Sequence, residues 1–206
     1  MLIGIDFDNT LADYDGVFPA VAVAEGLLAS GQAASKSAVK SALRALPAGE
    51  EKWMRLQGRI YGAHMADAAM FDGAAEFIRE CRGRGIQVCV VSHKTEFGHF
   101  DPDRVNLRDA ARAWMTAKGF FAAGGLGVDP GLVFFEPTRA EKIARIAELG
   151  CDHFIDDLIE VLTDPEFPAR TQAHLFAPGG NADPATGGFP VHGSWASLRR
   201  TVLGDA

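Results

Sequence analysis

The sequence predicts an α/β fold in which a parallel sheet is flanked by helices and carries a small helical insertion. Three observations predict it. Short apolar runs recur as LIGI, IQVCVV, LVFF, HFI and AHLF, each bounded by polar or turn residues. The first two are almost continuously hydrophobic, as strands covered on both faces must be. Helical periodicity fills several of the intervals between runs, and strand and helix in alternation with right-handed crossovers build a parallel sheet.

LIGI, residues 2–5, is the first strand. The Ala-rich stretch that follows contains VAVAEGLLASG, SAVKSALRAL and EEKWMRLQGRIYGAHM, all with helical spacing. A crossover normally needs one helix, so the surplus is read as a helical subdomain over residues 17–70, leaving 1–16 and 71–206 as the core domain. Further helices are expected over Gly73–Arg84, Leu107–Lys118, Arg139–Leu149 and Trp195–Val202. The third has a start signal: TRAE makes Thr138 the N-cap and Glu141 the third helical residue of a capping box, which puts Lys142 in or beside the first turn. GGLG at Gly124–Gly127 lacks the spacing of a dinucleotide fingerprint and reads as a turn. The Gly/Pro-rich segment Ala177–Pro190 reads as a long, mobile surface connection.

A chain of 206 residues with 48% hydrophobic composition can fill one core of ordinary size. Its formal net charge of -7, without a Lys/Arg cluster, offers little to phosphate backbones or anionic lipid, so nucleic acid and membrane are not expected partners. Cys81, Cys89 and Cys151 show no close pair and no metal-ligand spacing along the sequence, which fits a reducing cytoplasm. Every long apolar stretch is broken by charge or Gly before membrane-spanning length, and no basic-then-apolar leader precedes the first strand; a soluble, cytoplasmic protein is expected.

Open parallel sheets bind ligands at the carboxyl ends of their strands. There the chain places Asp6 and Asp8 after the first run, Ser92 after the second, Lys142 in the helix after the third, and Asp156 and Asp157 after the fourth. Singly, each residue has a structural explanation, since Asp and Ser bond nearby backbone in turns and a helix Lys is usually solvated. In combination they form a site: carboxylates, hydroxyl, lysine and carboxylates again, on successive strand ends of one crevice.

The segments DFDNTL, VVSHKT, TRAEK and FIDD resemble motifs one to four of the haloacid dehalogenase superfamily of aspartate-nucleophile hydrolases. The resemblance spans most of the chain. It implies a Rossmann-like sheet with strand order 5-4-1-2-3 and a helical cap between motifs one and two. It further implies that Asp6 is the nucleophile, forming an aspartyl-phosphate, and that Asp8 protonates the leaving oxygen and then activates water. Family members that cleave carbon–halogen bonds lack this second acid, so Asp8 favours phosphoester chemistry.

Asp6, a phosphate dianion and the paired acids would repel one another by about 4 kcal/mol per pair at 4 Å with an effective dielectric near 20. A hard dication prefers oxygen ligands and relieves that repulsion, which points to Mg²⁺ held by Asp6, the Asp8 backbone carbonyl, Asp156 and Asp157. Asp157 aligns with the family's principal ligand, with Asp156 either behind it or a further ligand. Lys142, the Ser92 hydroxyl, Thr10 and loop amides after Asp6 are suited to the negative charge on the transferring group.

His93, Lys94 and Thr95 follow Ser92 directly and are candidates to face substrate or solvent. In the expected cap, Arg55, Gln57, Tyr61 and His64 share a helix that either contacts the leaving group or simply packs. His153 and His174 read as satisfied strand residues rather than metal ligands. Glu160, after the paired acids, has no assigned role. The expected activity is hydrolysis of a small phosphorylated metabolite, a sugar phosphate or nucleoside monophosphate, under a cap whose closure excludes water. A phosphotransferase or mutase would use the same intermediate. A phospho-accepting signalling domain would carry its paired acids after the first strand and its acceptor Asp after the third, which is not the order here. An exposed apolar cap face would permit a homodimer.

Overall fold

The computed structural model describes residues 1–179 and 187–204, so the middle of the expected Ala177–Pro190 connection lies outside the described residues. In chain order the elements are β1 (Leu2–Ile5), β2 (Ala12–Asp13), α1 (Val17–Ala24), α2 (Lys36–Arg44), α3 (Gly49–Tyr61), β3 (Ala69–Met70), α4 (Ala74–Gly83), β4 (Gln87–His93) and α5 (Leu107–Ala117). They continue with β5 (Val133–Glu136), α6 (Arg139–Leu149), β6 (His153–Asp156), α7 (Ile159–Leu162), β7 (Gln172–Phe176), β8 (Val191–His192) and α8 (Trp195–Leu203). None of the described helices is long and apolar enough to cross a membrane.

The chain divides into two compact units, one of Met1–Ala12, Met70–Lys94 and Lys118–Ala206, the other of Asp13–Ala69 and Thr95–Ala117. The second unit is larger than the 17–70 insertion read from sequence, because residues 95–117 group with it rather than with the core. Two contacts within it explain why. The Trp114 indole donates to the Ala68 carbonyl at 2.8 Å, tying α5 to the end of the insertion. Gly98 lies so close to α3 that a Cβ there would sit 2.4 Å from the Gly58 Cα. Within this unit, Phe18 stacks on Trp53 at 5.0 Å, and the Tyr14 and Tyr61 rings meet edge-on at 4.9 Å.

The first unit holds a six-stranded sheet in the order β5-β4-β1-β6-β7-β8, with every neighbouring pair parallel. Its first five strands in chain order follow the expected 5-4-1-2-3 arrangement, and β8 adds a sixth at the outer edge. β1 is the centre. Ile3, Ile5, Val90, Val91, Phe154 and Ile155 are buried on it and its neighbours, as strands covered on both faces require. Gly4 sits between Cys89 and Phe154 in register, and a Cβ there would lie 2.5 Å from the Phe154 ring and 3.0 Å from the Cys151 sulfur. The gap left by its missing side chain lets Cys89 and Cys151 bring their sulfurs within 3.7 Å, a close pair that the sequence spacing hides.

A chain of imidazoles crosses β6, β7 and β8. His153 Nδ1 and His174 Nε2 are hydrogen-bonded at 3.0 Å, His174 Nδ1 and His192 Nε2 at 3.3 Å, and His192 Nδ1 and the Ser197 hydroxyl at 3.0 Å. His153 and His174 are thus satisfied by one another, as expected, and belong to no metal-binding cluster among the described residues. Burial, with the neighbouring imidazoles, lowers His174 to about 4, and burial lowers His153 and His192 as well. Above the unfolded value near 6.5 both states are neutral and nothing is lost; as pH falls through 6.5 toward 4 the unfolded chain takes protons first, and stability drops. The 2 %-exposed His174 alone accounts for about 3 kcal/mol by pH 4. Urea midpoints at pH 7 and pH 4.5 should therefore separate more in the native chain than in His174→Leu, and equal separations would count against the buried imidazole as the source.

Candidate active site

The site is assembled at the carboxyl ends of β1, β4 and β6 and at the start of α6. Strand periodicity puts Asp6 and Asp8 on one side while Phe7, fully buried, points to the other and meets Phe135 edge-on at 5.9 Å. Beyond β1 the backbone folds back at once: the Leu11 and Ala12 amides donate to the Phe7 carbonyl at 3.0 Å, and Asn9 takes the left-handed conformation, φ 61°, that Asn tolerates. That turn holds Asp8 beside Asp6.

Lys142 is the hub. Thr138 caps α6, its hydroxyl accepting from the Glu141 amide at 3.2 Å and donating to the Glu141 carboxylate at 2.6 Å, so the helix begins where the sequence placed it. Lys142 leaves the first turn and runs inward past the Phe154 ring. Its ammonium, 1 % exposed, donates to Asp6 Oδ1 at 2.7 Å and to Asp156 Oδ2 at 2.6 Å. Burial alone would lower the ammonium, but the charges of Asp156 and Asp6 and their hydrogen bonds more than offset it and hold Lys142 protonated. Burial pushes Asp156 up to about 6, against the pull of Lys142 and helped by the repulsion of Asp6.

The other oxygen of Asp156 accepts from the Leu158 amide at 3.0 Å. Asp157, half-buried, follows directly at the end of β6. One carboxylate oxygen from each of Asp6, Asp156 and Asp157 lies within 4.8 Å of the others. Three carboxylates thus stand around the one ammonium of Lys142, and that excess of two negative charges is what one divalent cation neutralises. All the donors are oxygens, the set a hard cation prefers. The residues present fit such an ion.

Ser92, 1 % exposed, is the last residue but one of β4, opposite Phe135 in register. Asp6, Asp8, Ser92, Lys142, Asp156 and Asp157 thus all stand at the strand ends and helix start of one unit. The remaining candidates are placed differently. Lys94, read as facing substrate or solvent, is 3 % exposed and ion-paired with Asp8, because the chain turns inward as soon as β4 ends. Thr10 is fully buried, its carbonyl accepting from the Trp195 indole at 3.2 Å, and its own hydroxyl has no partner among the described residues. His93 is exposed.

In the other unit, Arg55 is spent on an exposed pair with Glu51 at 3.1 Å, one helical turn away. Tyr61 belongs to the aromatic cluster with Tyr14 and Phe18. His64 bonds Asp67 at 3.1 Å.

No protein-family model matches the sequence, and no curated protein does. Solved structures match over nearly the whole chain. Protein tyrosine kinase A of Mycobacterium tuberculosis superposes with a TM-score of 0.62 at 16% identity, covering 98% of this chain and 97% of that one. A HAD family hydrolase from Deinococcus radiodurans R1, solved with bound phosphate and sodium, gives 0.59 at 17% identity, with 98% and 94% covered. A predicted phosphoglycolate phosphatase from Haemophilus somnus 129PT gives 0.58 at 15% identity, with 98% and 97% covered. The chain has the fold of haloacid dehalogenase superfamily hydrolases and phosphatases.

Proposed function

We propose that the protein is a Mg²⁺-dependent phosphatase of small phosphorylated metabolites, sugar phosphates or nucleoside monophosphates, working through an aspartyl-phosphate on Asp6. The observation that carries this reading is the pair of hydrogen bonds that Lys142 donates to Asp6 and Asp156 beside Asp157, which orders the acids around one point. Asp6, Asp156 and Asp157 each bring a carboxylate oxygen within 4.8 Å of the others, so these three, with the Asp8 carbonyl, are the residues that would hold the ion. Mg²⁺ bound there would supply positive charge against the phosphate oxygens.

In the first step an Asp6 oxygen attacks phosphorus, the ester bond breaks, and a protonated Asp8 gives its proton to the leaving oxygen. In the second, water attacks the same phosphorus and gives a proton to Asp8 while the Asp6–phosphorus bond breaks. Lys142 and the Ser92 hydroxyl face the charge that builds on the transferring oxygens. A panel of phosphorylated metabolites offered with Mg²⁺ should release inorganic phosphate from at least one compound, and a chelator should stop it. Release unaffected by chelation, or from no compound, would overturn the reading.

A second reading keeps the intermediate and delivers the phosphoryl group to another hydroxyl. The fold shared with a protein named as a tyrosine kinase favours considering it. The ratio of free to transferred phosphate, measured with alcohols present, separates the two. For localisation we propose the cytoplasm, where three buried thiols stay reduced.

A further inference from the structure

Lys94 is buried for a reason that the phosphatase reading does not use. Its ammonium approaches both oxygens of one carboxylate, Asp8 Oδ1 at 3.1 Å and Oδ2 at 2.8 Å. Its own backbone is fixed as well, since the Lys94 amide donates to the Glu136 carbonyl at 2.9 Å and so extends the β4–β5 ladder by one step. The ammonium also lies 5.5 Å from the Phe7 ring centre, and Phe7 is the residue between the two acids. The lysine is anchored at its backbone and at its tip.

A buried ion pair is weak evidence for stability, because apolar residues of like volume often replace it without loss. Contact on two oxygens does something an apolar pair cannot. It stops the carboxylate from rotating about its terminal torsion, which is otherwise broad for Asp. Proton transfer needs the acceptor oxygen within hydrogen-bond reach of the reacting atom, and small misplacements are costly.

We propose that Lys94 is a positioning residue that clamps Asp8 by both carboxylate oxygens, aiming it at the water whose proton it takes in the second step. The inference rests on the phosphatase reading. p-Nitrophenyl phosphate separates them, because nitrophenolate departs without needing a proton, so only the second step depends on a well-aimed Asp8.

In Lys94→Met, rapid mixing with p-nitrophenyl phosphate and Mg²⁺ should give a burst near one equivalent of nitrophenolate at close to the native rate. Steady turnover should then be about 10²-fold slower than native. Lys94→Arg, which keeps a two-pronged donor, should recover much of that loss. A merely structural lysine would lower burst and steady rate together, and that result overturns the inference while leaving the phosphatase reading intact. A native protein that releases no nitrophenolate and no phosphate overturns both. If the Met variant does not fold, Lys94→Gln carries the same measurement, with the same two outcomes.

Discussion

Asp6→Asn should abolish phosphate release from every ester the native protein hydrolyses, by at least about 10³-fold, while circular dichroism stays native. The amide has nearly the shape of the carboxylate and can still accept the 2.7 Å bond from Lys142. Its oxygen is too weak a nucleophile to attack phosphorus, and the charge that helps hold a divalent cation is gone. Asp6 lies at the end of the central strand, hydrogen-bonded through its amide to the Ile155 carbonyl, so the change leaves the sheet ladder untouched. Native-level turnover would remove the covalent mechanism. Loss of activity with loss of folded signal would instead assign Asp6 a role in stability.

Asp6, Asp8, Ser92, Lys142, Asp156 and Asp157 were legible in the sequence because each sits where a strand stops or a helix starts, and those boundaries leave local signals. The Thr138 cap fixes where α6 begins and so puts Lys142 in its first turn; that the side chain runs inward to Asp6 and Asp156 is seen only in the folded chain. Lys94 was not legible in this way. Its partner lies 86 residues earlier, and nothing in SHKT distinguishes a side chain that turns in toward Asp8 from one that turns out, as His93 does.

The sulfur pair of Cys89 and Cys151 was hidden for a related reason: it depends on Gly4 lying opposite Cys89 in register while the Cys151 sulfur occupies the space beside its missing side chain, a property of three segments jointly. β8 has two residues, too few for a period-two pattern to register. Residues 95–117 group with the insertion through Gly58 and Gly98 and through Trp114 and Ala68, contacts whose residues are far apart in sequence. Local chemistry announced the strand ends, whereas what packs behind them is settled by pairings that only the folded chain displays.

The largest stability change should follow from Lys142→Met. The native ammonium donates to Asp6 and Asp156, and all three groups are nearly or wholly inaccessible to water. Methionine keeps an unbranched stem but offers no donor, so two like charges would be left facing one another. Removing one partner of a buried pair costs about 3–5 kcal/mol, most of it the burden of uncompensated charge rather than the worth of the lost bond. Against a typical total of about 5–15 kcal/mol, that is enough to bring a domain near its unfolding threshold. The charge origin has a distinctive consequence: Asp156→Asn added to Lys142→Met should recover part of the loss, although it deletes a second native group. Urea unfolding of the two single variants and the double variant closes the cycle. A double variant less stable than Lys142→Met alone would show that the lysine acts through packing, and the electrostatic account of the site would fall with it.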